Sequence, residues 1–200
     1  EKVCDVYNEI ATRFNQTRGY GWPWIKEFMD SVPKNSVVYD IGCGSGRNMC
    51  YPNINFIGLD NCDNLLEICR NKGLNVLKGD MCCMPFAENS ADIVMAIASF
   101  HHLSTEERRI KTINEFYRVL KPNGKLLISV WSKEQPKKTR RKFENYGDTI
   151  VKWDQYGEIY ERYYYIFKIS EITDIFKKCG FLIETHSWNC GNEIFILTKK

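Results

Sequence analysis

Val37-Val38-Tyr39-Asp40-Ile41-Gly42-Cys43-Gly44-Ser45-Gly46 is the stretch that decides how this chain is read. A run rich in β-forming residues leads straight into glycines at alternate positions, the pattern of a buried strand ending in a tight turn. Glycines at 42, 44 and 46 permit positive φ and clear side chains from a place that a ligand must approach. Asp40 stands two residues before the first of them, at the strand's carboxyl end. In an open α/β sheet that end is the crevice where ligands bind.

The nearest competing pattern is the dinucleotide fingerprint GxGxxG. Here the spacing is GxGxG, and Arg47 occupies the place where a third glycine would allow tight helix–strand packing. A carboxylate at position 40 is also a poor neighbour for a pyrophosphate. It suits a cationic ligand such as S-adenosylmethionine (SAM), which carries a sulfonium and an ammonium. The string Asp40 to Gly46 resembles motif I of the class I SAM-dependent methyltransferases. That resemblance implies SAM as cofactor, with Asp40, Gly42 and Gly44 in its site.

Composition places few obstacles in the way. The chain has 200 residues, 44% hydrophobic and 26% charged, ordinary for one globular domain. No apolar run approaches the ~18 residues of a membrane span, so no membrane partner is expected. The chain opens at Glu1-Lys2 with neither an initiating methionine nor a signal-peptide pattern, which predicts a trimmed N-terminus. Nine cysteines, an odd count without C-x-x-C, argue for a reducing compartment, cytoplasmic or nuclear, and against a disulfide framework. Three histidines without ligand-like spacing predict no intrinsic metal site. Net charge is +3, but Lys133 to Lys142 alone carry +5, leaving −2 for the rest. The basicity is one patch, suited to local contact with a polyanion.

Taken in order, Val3, Val6, Tyr7, Ile10 and Phe14 recur at helical spacing, and a second helix is predicted from Pro23. Together, residues 1–36 form an N-terminal helical cap. After the glycine turn comes a short irregular or helical piece, then a strand over Asn55 to Asp60. Asp60 lies 18 residues beyond Gly42, close to the ~20-residue offset at which an acid meets ribose hydroxyls. A helix from Asp63 to Asn71 and a short third strand, Asn75 to Lys78, precede Gly79-Asp80-Met81. This acid–apolar pair can bind an adenine amino group and cover the ring. Asp92 to Ala98 is a fourth strand, and its Ala96 completes the predicted cofactor site. Ser104-Thr105-Glu106-Glu107 reads as a capping box, opening a helix stopped by Lys121-Pro122-Asn123-Gly124. Lys125 to Trp131 is a fifth strand.

Residues 133–168 then form a basic and aromatic insert. Ser170 is predicted to cap a last helix that ends at Gly180, and two strands joined by Asn189-Cys190-Gly191-Asn192 close the chain as a hairpin. The order gives a single α/β domain over residues 1–200: a seven-stranded, doubly wound, Rossmann-like sheet with a terminal antiparallel hairpin, the architecture of class I methyltransferases. The third strand falls at a sheet edge.

Three further stretches resemble the eukaryotic tRNA wobble-uridine carboxymethyl methyltransferases. They are Tyr7 to Arg18 (YNEIATRFNQTR), Ile97 to Arg109 (IASFHHLSTEERR) and Arg162 to Lys168 (RYYYIFK). The resemblance covers nearly the whole chain. It implies methylation of the carboxylate of 5-carboxymethyluridine in the tRNA anticodon loop, and a small zinc-binding activator subunit as partner. Such chemistry needs positioning more than a base, because a carboxylate with pKa near ~4 arrives already ionised. Arg18, with its planar fork, and His101, favoured over its neighbour His102, are the expected catalytic residues that hold the acid. Lys137, Lys138, Arg140, Arg141 and Lys142 are the expected RNA contacts, in a segment whose aromatic residues also suit stacking on bases. A small-molecule methyltransferase and a non-catalytic SAM-fold subunit that binds RNA or a partner are the rival readings. The first offers no reason for the localised basic stretch, and the second leaves Asp40, Gly42, Gly44, Asp60 and Asp80 without a task.

Overall fold

The computed structural model describes residues 2–17, 21–139, 142–155 and 157–200. Two helices, α1 (Lys2–Gln16) and α2 (Pro23–Asp30), precede the first strand. The alternating body follows as β1 (Val37–Ile41), β2 (Asn55–Asp60), α3 (Asp63–Asn71), β3 (Val76–Lys78) and β4 (Ala91–Ile97). A 3-10 turn over Phe100–His102 leads into α4 (Glu106–Val119) and β5 (Leu120–Trp131). After these come β6 (Gly147–Gln155), β7 (Glu158–Ile166), α5 (Ile169–Lys178), β8 (Phe181–Asn189) and β9 (Asn192–Lys199). Seven strands form one sheet in the order β3-β2-β1-β4-β5-β9-β8, while β6 and β7 make a separate two-stranded sheet. The strands from β3 to β5 are parallel, and β9 runs antiparallel to both its neighbours. Order reverses between β1 and β4, which fixes the crevice at their carboxyl ends.

Alternation along the central strands builds a layer on each face. Val38, Ile93, Met95, Ile97 and Leu127 pack with Ile25, Phe28 and Met29 of α2. Their sequence neighbours Tyr39, Ile41, Val94, Ala96, Leu126 and Ile128 pack with Ile113 and Phe116 of α4 and Ile172 and Phe176 of α5. Each such side chain taken fully out of water contributes about 1.5–3 kcal/mol, so the central strands, apolar on both faces, are the most strongly held part of the sheet. Trp24 and Val32 are only partly buried.

Between β1 and β2 the chain forms turns rather than a helix, as Gly44, Gly46, Pro52 and Asn53 would lead one to expect. The α1 helix is fastened to α3 through Asn8. Its Oδ1 accepts from the Asn64 amide (3.1 Å), and its carbonyl accepts from Asn64 Nδ2 (2.8 Å).

Three local expectations need correction. Thr105, not Ser104, caps α4: its Oγ1 accepts from the Arg108 amide at 3.3 Å. The reciprocal acid of a capping box would then fall at Arg108, whose side chain has another task. Lys168 occupies the cap of α5 without a side-chain bond, and Ser170 lies inside the helix. The Lys121 to Gly124 segment is a bulge within β5, where Asn123 takes φ 63° and the pairing with β4 shifts register. The insert is built on the β6–β7 ribbon, and Tyr164 of β7 stacks on Trp131 at the end of β5, with centroids 3.9 Å apart and planes 9° from parallel.

Candidate active site

At the carboxyl ends of β1 and β4 lies a cavity of about 850 Å³. Its floor comes from the sheet: Gly42, Gly44, Asp60, Met81 and Ser99. Its opposite wall comes from α1, the 3-10 turn, β5 and the ribbon: Tyr7, His101, His102, Trp131, Tyr163 and Tyr164.

The glycine turn is shaped by contact on one side and openness on the other. Gly42 holds φ 72°, and a Cβ there would lie 2.3 Å from Ser99 Cβ, so no larger residue fits without moving β4's continuation. Ser99 is itself fixed by donating to the Ile41 carbonyl at 2.8 Å. At Gly44 (φ 56°) a Cβ would meet nothing closer than Phe14 at 3.8 Å, so the backbone is open to a ligand. Its amide donates to Asp60 Oδ2 at 2.8 Å, and the Cys62 amide donates to Oδ1 at 2.9 Å. Burial raises the pKa of Asp60 despite these backbone bonds.

Asp40 is only 1% exposed, and neither carboxylate oxygen has a hydrogen-bond partner among the described residues. Burial pushes its pKa up to about 7; the Asp60 charge adds to this and Arg47 opposes it. It lies in β1 just ahead of the turn rather than on the cavity wall. An uncompensated acid there is costly by itself and matches a cationic ligand arriving above it. Asp80 and Met81 both line the cavity. Burial opposes ionisation of Asp80, but the Cys82 amide and the two-point contact with Arg108 Nη2 (3.1 and 2.9 Å) outweigh it and hold its pKa below the usual range. These residues fit SAM: open backbone at Gly44, two acids near a glycine turn, and an apolar side chain beside a third acid.

Ala96 is a correction. It is fully buried in the core, and the cavity is lined instead by the residues that follow it, Ile97, Ala98 and Ser99. Both histidines line the same cavity, although the sequence favours only His101 for it: in the 3-10 turn their ring centroids lie 4.7 Å apart. His101 Nδ1 accepts from the Trp131 amide at 3.1 Å, which leaves its proton on Nε2. His102 Nδ1–H donates to the Tyr163 carbonyl at 2.8 Å, so Nε2 accepts from the Tyr7 hydroxyl at 3.3 Å, which in turn lies 3.3 Å from that of Tyr164. Burial drives the His102 pKa down to about 4 against the pull of the Tyr163 carbonyl, with the Arg162 charge adding to the shift.

Arg18, Arg140 and Arg141 lie outside the described residues. Lys137, Lys138 and Lys142 are exposed in the segment between β5 and β6, and none of them lines the cavity. Tyr7, Trp131 and Tyr164 are cavity residues that their sequence context presents as helix face, strand end and insert. The signal that could have found them is the alternation in Tyr160, Arg162, Tyr164 and Ile166, which marks a half-buried strand opposite the site.

A family model described as a methyltransferase domain matches residues 39–128. A Schizosaccharomyces pombe tRNA (carboxymethyluridine(34)-5-O)-methyltransferase is 35% identical over 222 aligned positions, covering 100% of this chain and 96% of that protein. The mouse tRNA (carboxymethyluridine(34)-5-O)-methyltransferase ALKBH8 is 40% identical over 157 residues, 76% of this chain and 23% of the mouse protein. The chain therefore spans nearly all of one relative and under a quarter of the other. In fold it is similar to a solved complex between the Haloferax volcanii Trm112 methyltransferase activator and a methyltransferase, with TM-score 0.74 and 18% identity over 98% of this chain and 96% of that one.

Proposed function

From the premise that this chain belongs to the tRNA (carboxymethyluridine(34)-5-O)-methyltransferase family, we propose that it esterifies the carboxylate of 5-carboxymethyluridine at the tRNA wobble position, using SAM. SAM supplies a methyl group on a positively charged sulfur; a carboxylate oxygen bonds to that carbon as the carbon–sulfur bond breaks, the electron pair leaves with sulfur, and no proton moves. The protein's part is to orient, to exclude water and to neutralise. Gly44 and Asp60 hold the nucleoside of the donor, Asp40 offsets its positive charge, and Met81 with Asp80 holds the adenine.

One observation carries the reading: a single cavity sets the acidic, glycine-rich floor against an aromatic wall of Tyr7, Trp131 and Tyr164. The floor suits a cationic nucleoside and the wall a planar base. His101, with its proton on Nε2, acts as a hydrogen-bond donor toward the acid rather than as a base. The exposed lysines 137, 138 and 142 face solvent where tRNA phosphates can reach them, which a metabolite methyltransferase would not need. Arg18, which lies outside the described residues, is the cation we propose for the acid.

The partner we propose is a small activator subunit at the β3 edge, where Val76–Lys78 pairs only with β2 among the described residues and Leu77 is 41% exposed. Nine free cysteines suit a reducing, cytoplasmic setting. Mass spectrometry of tRNA nucleosides after incubation with SAM, with and without a co-expressed activator, tests the reading. The methyl ester should form, and more of it with the activator; donor binding without any ester in either arm would refute it.

A further inference from the structure

Arg162 is the buried charge that the site described above does not use. It lies in β7 and is 4% exposed, with Nε and Nη1 sealed from water and without a hydrogen-bond partner among the described residues. Its guanidinium carbon is 5.4 Å from the Trp153 ring centroid and 5.5 Å from that of Tyr164, the ring that lines the cavity and stacks on Trp131. The field of this charge reaches His102. Arg109 shows what a structural buried arginine looks like here. At 3% exposure it donates to the Leu103 and Ser104 carbonyls, faces Glu171 at 3.8 Å and covers the Tyr165 ring. Arg162 has the aromatic contacts, but its Nε and Nη1 have no acceptor among the described residues.

Guanidinium groups stay charged in proteins, and taking one out of water costs several kcal/mol unless an anion meets it. Three anions belong to the proposed reaction: the donor's carboxylate, the tRNA phosphates and the substrate's own acid. The donor's residues sit on the sheet side of the cavity, and exposed lysines are placed for phosphates. Arg162 belongs to the ribbon, behind the wall at which the substrate base would rest. We infer that Arg162 is the electrostatic anchor that draws the substrate's carboxylate to the His102–Tyr164 end of the cavity. The inference rests on the proposed function and adds to it a residue that determines specificity for an acidic base.

The test compares two anticodon stem–loops, one bearing 5-carboxymethyluridine and the other its neutral amide, 5-carbamoylmethyluridine. Each is titrated into protein saturated with S-adenosylhomocysteine, so that no turnover occurs. Wild type should prefer the acid by roughly thirtyfold, the scale of a charge-assisted contact. Arg162→Met should bring that preference within threefold, with S-adenosylhomocysteine affinity unchanged and the melting temperature equal or higher, because an uncompensated charge has been removed. A structural role would lower the melting temperature and spare the preference. An Arg162→Met protein that still prefers the acid by the wild-type ratio overturns the inference; should that variant not fold, Arg162→Gln is read by the same ratio. Equal binding of both loops by a wild type that still esterifies the acid overturns the anchor alone. Absence of esterification with donor bound overturns the proposed function.

Discussion

Asp40→Asn probes the site through the group with the most to gain from a cation. In the folded chain Asp40 ionises near pH 7, against 3.8 for a free carboxyl, because it is buried beside Asp60. Between those values the folded state holds a proton that the unfolded state has lost, so stability falls as pH rises from about 4 to 7 and then levels. Each pKa unit corresponds to about 1.4 kcal/mol, so the full penalty is at most about 4 kcal/mol. Asparagine removes the charge but keeps the shape. Its own buried amide costs about 1–3 kcal/mol, a cost that does not vary with pH. The quantity to measure is therefore the change in the mutant-minus-wild-type unfolding free energy between pH 4 and pH 7.5, by urea titration at each pH. It should move by about 4 kcal/mol in favour of the variant at the higher pH. In the same protein a cationic donor favours ionised Asp40, so SAM binding to wild type should release up to about three-quarters of a proton near pH 6.5. Calorimetry in buffers of different ionisation enthalpy reads that release. Asp40→Asn should abolish it and weaken SAM binding at pH 7.5 at least about tenfold, the equivalent of one pKa unit. A mutant-minus-wild-type difference flat to within 1 kcal/mol across this pH range, together with undiminished SAM affinity, would refute the reasoning.

His102→Gln should show the opposite slope. With a folded pKa of about 4 against 6.5, His102 stabilises the fold above pH 6.5 and loses up to about 3 kcal/mol as pH falls to 4; a variant that keeps the wild-type acid limb would exclude His102 as its source. Gly42→Ala should destabilise by roughly 2–5 kcal/mol, from positive φ and from the overlap with Ser99; a loss under 1 kcal/mol in urea would show that the turn tolerates a Cβ. Reversing Lys137, Lys138 and Lys142 to glutamate should reduce the salt slope of tRNA binding by roughly 0.7–0.9 for each phosphate no longer neutralised. An unchanged slope would move the tRNA-binding surface elsewhere.

The sheet was legible because its signals are local and repeated. The apolar β1 and β4, next to glycine or asparagine turns, state both their boundaries and their burial; β5 states its burial, but its start lies at Leu120, ahead of the bulge. Asp60 was legible from its distance to Gly42, since the crossover between the parallel β1 and β2, built here of turns, is of the usual length. What failed was set by geometry beyond the segment. The cap of α4 moved to Thr105, which leaves Arg108 free to reach Asp80. Ala96 faces the core and not the ligand because the cavity begins one residue later, after the parity of β4 has placed Ile97 on the α2 face. The two histidines share a wall because a 3-10 turn, unlike a strand, does not send neighbours to opposite sides.

The ribbon was the least legible part, and the reason bears on function. Tyr160 to Ile166 has the alternation of a half-buried strand, but aromatic and basic residues hide it, since they look equally like a packed lid or an RNA surface. The register Val151↔Arg162 and Thr149↔Tyr164 instead turns one face inward, where Tyr164 closes on Trp131 and Arg162 brings its charge close behind. The sheet side thus gathers its acids at the cavity's floor, where Asp60 and Asp80 line it, and just behind it, where Asp40 is buried in β1. The ribbon collects aromatic surface and positive charge at its wall. A cation and an anion that must meet would each find the complementary pole, and water between them would be displaced by rings. Joining the two poles is the Trp131–Tyr164 stack, so loosening it by Trp131→Ala should reduce transfer more than it reduces binding of either ligand alone.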